Sequence, residues 1–206
     1  MPSRREFLQT GLAVSVFPLA LPTNPDATET PRRAHPVMGD VHAIYRVVSD
    51  VRFPEGALFA REAERLGASL VRIEGDITDF WFHDLSVRWK TEPLAVAGLT
   101  AHGPLFCLER LAWDHGLRVV YRGSHRALDD DRVEHAWSGP PATIAGARGV
   151  PLGRPEWARG VARLVTSCPM ASGVPETLAT PEGVRRRREQ SSEPLMSWVI
   201  APPTRA

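Results

Sequence analysis

The chain contains 206 residues, of which 43% are hydrophobic and 24% are charged, so its composition is that of a globular protein with room for one domain of moderate size. Its formal net charge is +1, and this balance gives no reason to expect a nucleic acid as a partner. Most of the 19 prolines lie toward the two ends of the chain, which separates a regular central part from two irregular appendages.

The first 21 residues carry an export pattern. Positions 3–8 read Ser-Arg-Arg-Glu-Phe-Leu, and an apolar segment follows at residues 11–21. That segment is too short for a helix across a hydrocarbon core of roughly 30 Å, which needs about 20 residues. The pattern resembles the signal peptide of substrates of the twin-arginine (Tat) translocase, with Gln9 where these signals usually carry lysine.

The resemblance implies a periplasmic protein that meets the Tat translocase during export, is exported already folded and has no stable membrane span. The alternative is a chance pair of arginines before an apolar start. Neither Ala20 nor Ala27 completes a good Ala-x-Ala cleavage site, so cleavage and retention of the segment both stay open.

Residues 22–40 are rich in proline, threonine and charge without periodicity, which predicts a flexible linker. A first strand is predicted at residues 41–48. Pro54 then opens a helix that runs through Leu66 and ends at Gly67.

The hydrophobic pattern is densest in the central part of the chain. It predicts strands at residues 69–73, 94–99 and 117–121, separated by helices at residues 79–90 and 103–115. Strands joined by single crossover helices lie parallel, and such crossovers are right-handed. We therefore expect an α/β fold with a mainly parallel open sheet of about four to five strands, in Rossmann-like or flavodoxin-like layers.

This core is assigned to residues 41–135, and residues 136–206 are assigned to a loop-rich C-terminal extension. The Gly/Pro-rich stretch at 138–155 predicts a loop without a regular ladder. A short amphipathic helix is predicted at 156–165, and a late strand at 195–201 is predicted to join an edge of the sheet.

Polar residues follow each predicted strand of the core. In open α/β sheets the loops at the carboxyl ends of parallel strands meet at one edge, where ligands bind. The candidate ligand-binding residues on this edge are Asp50, Arg52, Asp76, Asp79, Thr100, His102, Arg122 and His125. The alternative is that they are ordinary turn and cap residues, with Asp50 and Arg52 paired to each other.

Known catalytic motifs are absent: the sequence has no G-x-S-x-G, Walker A, G-x-G-x-x-G or H-E-x-x-H pattern. The seven histidines show no i, i+4 spacing suited to a metal, so we predict no metal and no cofactor and leave the catalytic residues unknown. Cys107 is predicted to be a small core residue, and a disulfide with Cys168 after export is the alternative.

Three functional hypotheses follow. The first is a non-catalytic accessory or small subunit, or an assembly factor, of a larger exported oxidoreductase; it rests on the export signal, the missing motifs and the Pro-rich arms. The second is a small-ligand-binding protein that uses the strand-end edge. The third is an enzyme with Asp76, Asp79, His102 and His125 as acid or base candidates.

Overall fold

The computed structural model describes residues 44–128, 132–151, 153, 155–168, 174–180 and 193–203. These residues belong to one compact unit, residues 37–206. The predicted signal segment and linker lie outside the described residues, as does the start of the predicted first strand.

The chain folds as a mixed α/β protein around one seven-stranded sheet, so the predicted α/β class is confirmed. The order of strands across the sheet is β2-β1-β3-β7-β4-β5-β6. The strands are β1 (Arg46–Asp50), β2 (Leu70–Ile73), β3 (Val96–Thr100), β4 (Arg118–Ala127), β5 (Val133–Gly139), β6 (Glu176–Ala179) and β7 (Leu195–Ala201).

The prediction of a mainly parallel sheet is wrong. Strand β1 pairs in parallel with β2 and β3, whereas the four other neighbouring pairs are antiparallel. The late strand β7 lies between β3 and β4 instead of at an edge, and all seven of its residues are buried. Its sequence LMSWVIA is an almost uninterrupted apolar run, which is typical of a strand covered on both faces. Because β7 is antiparallel to both neighbours, β4 still points the same way as β1 to β3.

Helices connect the strands and cover both faces of the sheet. They are α1 (Pro54–Arg65), α2 (Thr78–Phe80), a π-helical turn (Trp81–Leu85), α3 (Ser86–Thr91), α4 (His102–Asp114), α5 (Pro141–Ala147) and α6 (Trp157–Thr166). Gly67, where the helix that begins at Pro54 was predicted to end, adopts a φ angle of 83° just beyond α1, and Gly116 adopts a φ angle of 76° just beyond α4. Within the described residues, no helix is both long enough and apolar enough to cross a membrane.

Two apolar clusters sandwich the sheet. On the front face, α1, α5 and α6 pack on alternate residues of the strands, among them Val47, Tyr121 and Val199. On the back face, the helical segment of residues 78–91 and helix α4 pack on the intervening residues, which include Trp198. This alternation decides which strand residues share a site, because successive side chains point to opposite faces.

Residues 138–155 are more regular than the loop that was predicted for them. This stretch contains the end of β5 and all of α5, whose Thr143, Ile144 and Ala147 are buried. Pro141 stands in the first turn of α5, where its missing N–H costs no hydrogen bond. Pro141 therefore begins a helix in a stretch whose prolines were predicted to keep it irregular.

The prediction for the cysteines is also corrected. Cys107 is exposed on α4 on the back side of the sheet, so it is not a core residue. Cys168 is buried in the front cluster. The two thiols lie on opposite sides of the sheet, and no disulfide joins them.

Candidate functional site

A pocket of about 540 Å³ opens at the edge where β1 and β4 end and where the antiparallel strands β5 and β7 begin. Helix α1 starts beside it. The lining residues are Phe53, Pro54, Glu55, His125, Ala127, Val133, Pro155, Trp157, Glu193 and Leu195. Most of these side chains are apolar, and two carboxylates and one imidazole supply the ionisable groups. The volume falls in the range of small-molecule sites, about 300–1,000 Å³.

The inner wall of the pocket continues into a buried polar chain. His125 on β4 lies directly opposite His135 on β5, and their Nδ1 atoms are 2.7 Å apart. The Nε2 atom of His125 is 2.7 Å from the Oγ of Ser197 on β7, and the hydroxyl of Tyr121 is 3.0 Å from the same Oγ. All four side chains point to the front face and are at most 2% exposed. We call them the buried polar chain.

The protons of the two facing histidines are linked by their geometry. Their Nδ1 atoms are 2.7 Å apart, so one ring donates to the other, and only one of these two atoms carries a proton when both rings are neutral. The Nε2 atom of His135 has no hydrogen-bond partner among the described residues.

The hydrogen bonds along the chain depend on one another. A proton on Nδ1 of His125 makes its Nε2 an acceptor for the hydroxyl of Ser197, whereas a proton on Nδ1 of His135 makes Nε2 of His125 a donor to Oγ of Ser197. In the pair of Tyr121 and Ser197, either hydroxyl can donate to the other.

Burial keeps these groups in their neutral forms. It lowers the pKa of His125 well below its usual 6.5, and neighbouring His135 lowers it further. Burial also lowers the pKa of His135 to about 4, against the opposing effect of Pro151. The pKa of Tyr121 is raised, chiefly by burial, while its hydrogen bond with Ser197 acts in the opposite direction. At pH 7 both imidazoles are uncharged and the phenol keeps its proton.

Aromatic rings and a glycine hold the buried polar chain in place. The ring centroid of Trp157 lies 4.6 Å from that of His125, and Trp137 stacks on His135 at 4.9 Å. Gly123 faces Ser197 across the strand pair, and a Cβ atom there would overlap the serine hydroxyl. Glycine at this position therefore makes the room that the hydroxyl occupies.

Two buried indole nitrogens beside the chain have no acceptor within the described part of the chain. Nε1 of Trp137 and Nε1 of Trp157 have no hydrogen-bond partner among the described residues. An unsatisfied buried donor costs about 1–3 kcal/mol.

The predicted candidates at the ends of β1 and β2 lie in ion pairs and caps. Asp50 is buried and accepts two hydrogen bonds from the Arg52 side chain, at 2.7 and 2.9 Å, as the alternative interpretation proposed. Asp76 accepts hydrogen bonds from the hydroxyl and amide of Thr78, and these bonds lower its pKa. The carboxylate of Asp79 is exposed.

Thr100, His102 and Arg122 are separated from His125 and its pocket by strand β7 or by the sheet itself. Thr100 is buried on the back face, where it accepts a hydrogen bond from Nε1 of Trp198. His102 is exposed at the start of α4. Arg122 forms a 2.8 Å ion pair with Glu109 of α4, which is also on the back face. Of the eight predicted residues, only His125 lines the pocket described above.

Sequence reasoning missed His135, Ser197, Tyr121 and Trp157. For His135 the sequence does carry a local signal. Residues 118–127 and 133–139 have the pattern of two strands joined by an acidic turn, which places His125 and His135 opposite each other in a hairpin. Ser197 offers no comparable signal, because its partner lies 72 residues away along the chain.

Comparison of the chain with protein-family models, with curated proteins and with solved structures finds no match.

Proposed function

We propose that this protein binds a small, largely apolar organic molecule in the pocket beside His125, and that it does so after export to the periplasm. One observation carries the proposal: a pocket of ligand size ends on an imidazole whose two nitrogens are fixed by hydrogen bonds to Ser197 and His135. Preformed pockets of this kind, mainly apolar with a few oriented polar groups, are the usual small-molecule sites.

The lining supports the chemical class of the ligand. Phe53 and Trp157 offer aromatic surface, and Val133 and Leu195 offer aliphatic surface. A ligand with an aromatic or branched aliphatic body and one or two polar atoms matches this combination. The export pattern in residues 1–21 supports the periplasmic part of the proposal.

Thermal unfolding with a panel of small aromatic and aliphatic esters, acids, alcohols and amines tests the proposal. A ligand present at 100 times its Kd stabilises the folded state by about 2.7 kcal/mol and raises Tm. An Ala127→Phe variant should lose the shift because the added ring fills the pocket. The matched control is Ala136→Phe on β5, where the native side chain is exposed and does not line the pocket. Equal shifts in both variants, or none in the unmodified protein, would contradict the proposal.

A second proposal is an accessory role beside a larger exported redox enzyme. Helix α4 favours it, because Phe106 and Trp113 are 48% and 43% exposed on its outer side, with the Arg110 guanidinium 4.0 Å from the ring centroid of Trp113. Mild purification from the periplasm, followed by identification of co-eluting proteins, tests this role. Loss of a stoichiometric partner in a Phe106→Ser, Trp113→Ser variant would support it, and elution of the protein alone would count against it.

A further inference from the structure

We propose that the pocket beside His125 selects organic amines in their cationic form, and that Glu55 and Glu193 bind the ammonium group while the apolar wall holds the rest of the molecule. The inference deepens the proposed function and rests on it, because it names the polar group of the ligand that occupies the same pocket.

The polar side chains of the pocket wall differ in what they can offer a ligand. Four side chains of the described wall can form hydrogen bonds: Glu55, His125, Trp157 and Glu193. Both nitrogens of His125 are engaged within the buried polar chain, and this holds for either tautomer. Nε1 of Trp157 is buried out of reach of solvent. The two carboxylates are therefore the side chains of the described wall that can present polar atoms to a ligand.

Carboxylates set the chemical class of the group that binds them. An ionised carboxylate accepts hydrogen bonds and donates none, so its best match is a positively charged N–H donor. Its two oxygens have about four acceptor sites, so a carboxylate that already has one partner can accept another. Glu193 is exposed, whereas Glu55 is only 9% exposed, so negative charge is present both in contact with solvent and inside the wall.

The aromatic part of the wall favours the same charge. Phe53 and Trp157 line the pocket together with the two carboxylates. The face of an aromatic ring attracts a cation, and tryptophan does so most strongly. A ligand whose ammonium group is attached to an aromatic or branched aliphatic body therefore matches the carboxylates, the rings and the aliphatic surface at once.

The arginine nearest in sequence to the pocket does not make it an anion site. Arg52 does not line the pocket, and its guanidinium is held by the buried carboxylate of Asp50 at 2.7 and 2.9 Å. The hydrogen bond to Asp50 raises the pKa of Arg52, and the charges of Glu193 and Glu74 raise it further. Three carboxylates thus act on this one cation, so the edge keeps a negative balance among the described residues.

Two more arginines are neighbours in sequence of pocket residues. Arg126 precedes Ala127 and Arg132 precedes Val133, but both arginines are exposed and neither lines the pocket. Successive side chains of an extended segment point to opposite faces, so the positions that place Ala127 and Val133 in the wall direct the arginines away from it. A carboxylic acid would therefore meet two negative charges and no facing cation in the described wall.

Sets of three probes that share one body and differ in charge test the inference. Each set contains an amine, the corresponding alcohol and the corresponding acid, with a 2-phenylethyl, a cyclohexylmethyl or an isopentyl body. Calorimetric titration of the intact chain at pH 7 measures each Kd. We expect the amine to bind roughly tenfold more tightly than its alcohol, as a charge-assisted hydrogen bond at a partly exposed site allows, and the acid not to bind.

Single carboxylate variants locate the contact. Glu193→Gln and Glu55→Gln should each weaken amine binding roughly tenfold, because the amide keeps the size of the side chain and removes its charge. Alcohol binding should stay within about twofold of the unmodified protein, and it also reports that each variant is folded. Glu74→Gln is the matched control, because Glu74 is exposed on the same edge but does not line the pocket, and it should leave amine binding unchanged.

The outcomes separate the amine from the pocket. If an alcohol or an acid binds as tightly as its amine, the preference for a cation is refuted and the binding pocket stands. Unchanged amine binding in both Glu193→Gln and Glu55→Gln, or an equal loss in Glu74→Gln, would also overturn the inference. If no member of any set binds while another compound raises Tm, the inference fails alone. If no compound does either, the proposed function fails as well.

Discussion

Mild acid is expected to destabilise this protein through the two buried histidines. Unfolding exposes both rings to water, where their pKa returns to about 6.5, whereas burial holds the pKa of His135 at about 4 and that of His125 well below 6.5. The unfolded state therefore binds more protons than the folded state once the pH falls below 6.5. Stability is complete above that pH and is lost as the pH falls toward 4.

The size of the effect follows from linkage. Each ring that is protonated only in the unfolded state lowers the free energy of unfolding by about 1.4 kcal/mol per pH unit well below pH 6.5 and by half that slope at pH 6.5, so between pH 6.5 and 5 the two rings together remove about 3 kcal/mol. This is a large part of the 5–15 kcal/mol that stabilises a typical domain. Glu62 does not contribute in this window, because its pKa falls from an ordinary 4.5 to about 2.

Urea unfolding at pH 7, 6 and 5 measures this loss. The unmodified protein should show a steep fall in its urea midpoint, and a His125→Gln, His135→Gln variant should show a much flatter profile. His83→Gln is the matched control, because its side chain is 80% exposed, and it should keep the steep profile. An unmodified protein with the same stability at pH 7 and pH 5 would refute the assignment of both rings as buried and neutral.

Three further perturbations probe the packing that supports the site. Gly123→Ala should destabilise the protein by about 1–3 kcal/mol, because the new Cβ overlaps Oγ of Ser197, and unchanged urea stability would contradict the close approach. Trp198→Ala should cost about 3–5 kcal/mol, since the ring is fully buried on the back face, and calorimetry should show a lower Tm. Glu62→Gln should lower the urea midpoint at pH 7 and remove the loss of stability that begins below pH 4.5, because Glu62 is hydrogen-bonded to Arg65 and Arg163.

The local part of the fold was predictable because it depends on periodicity and on helix ends. The crossover helix α4 occupies residues 102–114, against a prediction of 103–115, and β3 falls where its apolar run predicts. Strand β4 is longer than predicted: it runs to Ala127 instead of ending at residue 121, so Arg122 and His125 lie within the strand and not in a loop after it. Pairing across the sheet was not predictable in the same way. A buried strand such as β7 reads as apolar on both faces, and nothing in its seven residues says which strands flank it.

The same limit explains the incomplete prediction of the site. The general rule for open α/β sheets points to the carboxyl-end edge, and the pocket lies at that edge. The rule assumes that Thr100 and His125 end adjacent parallel strands, but β7 separates β3 from β4. The prediction of the site also ignored the two faces of the sheet. Arg122 and His125 are three positions apart on β4, so their side chains point to opposite sides of the sheet.

The late strand is what creates the buried polar chain. If β7 were added at the outer edge beside β2 or β6, the side chain of Ser197 could not approach His125. The strand next to β4 would then be β3, which runs parallel to it. In the central position, Gly123 pairs with Ser197 and His125 pairs with Leu195, which brings a hydroxyl from the end of the chain to a histidine 72 residues earlier. The hairpin of β4 and β5 then supplies His135 from the other side. Strand β7 therefore completes both the hydrophobic core and the buried polar chain, so a chain shortened before residue 195 should lose the sheet and the pocket together.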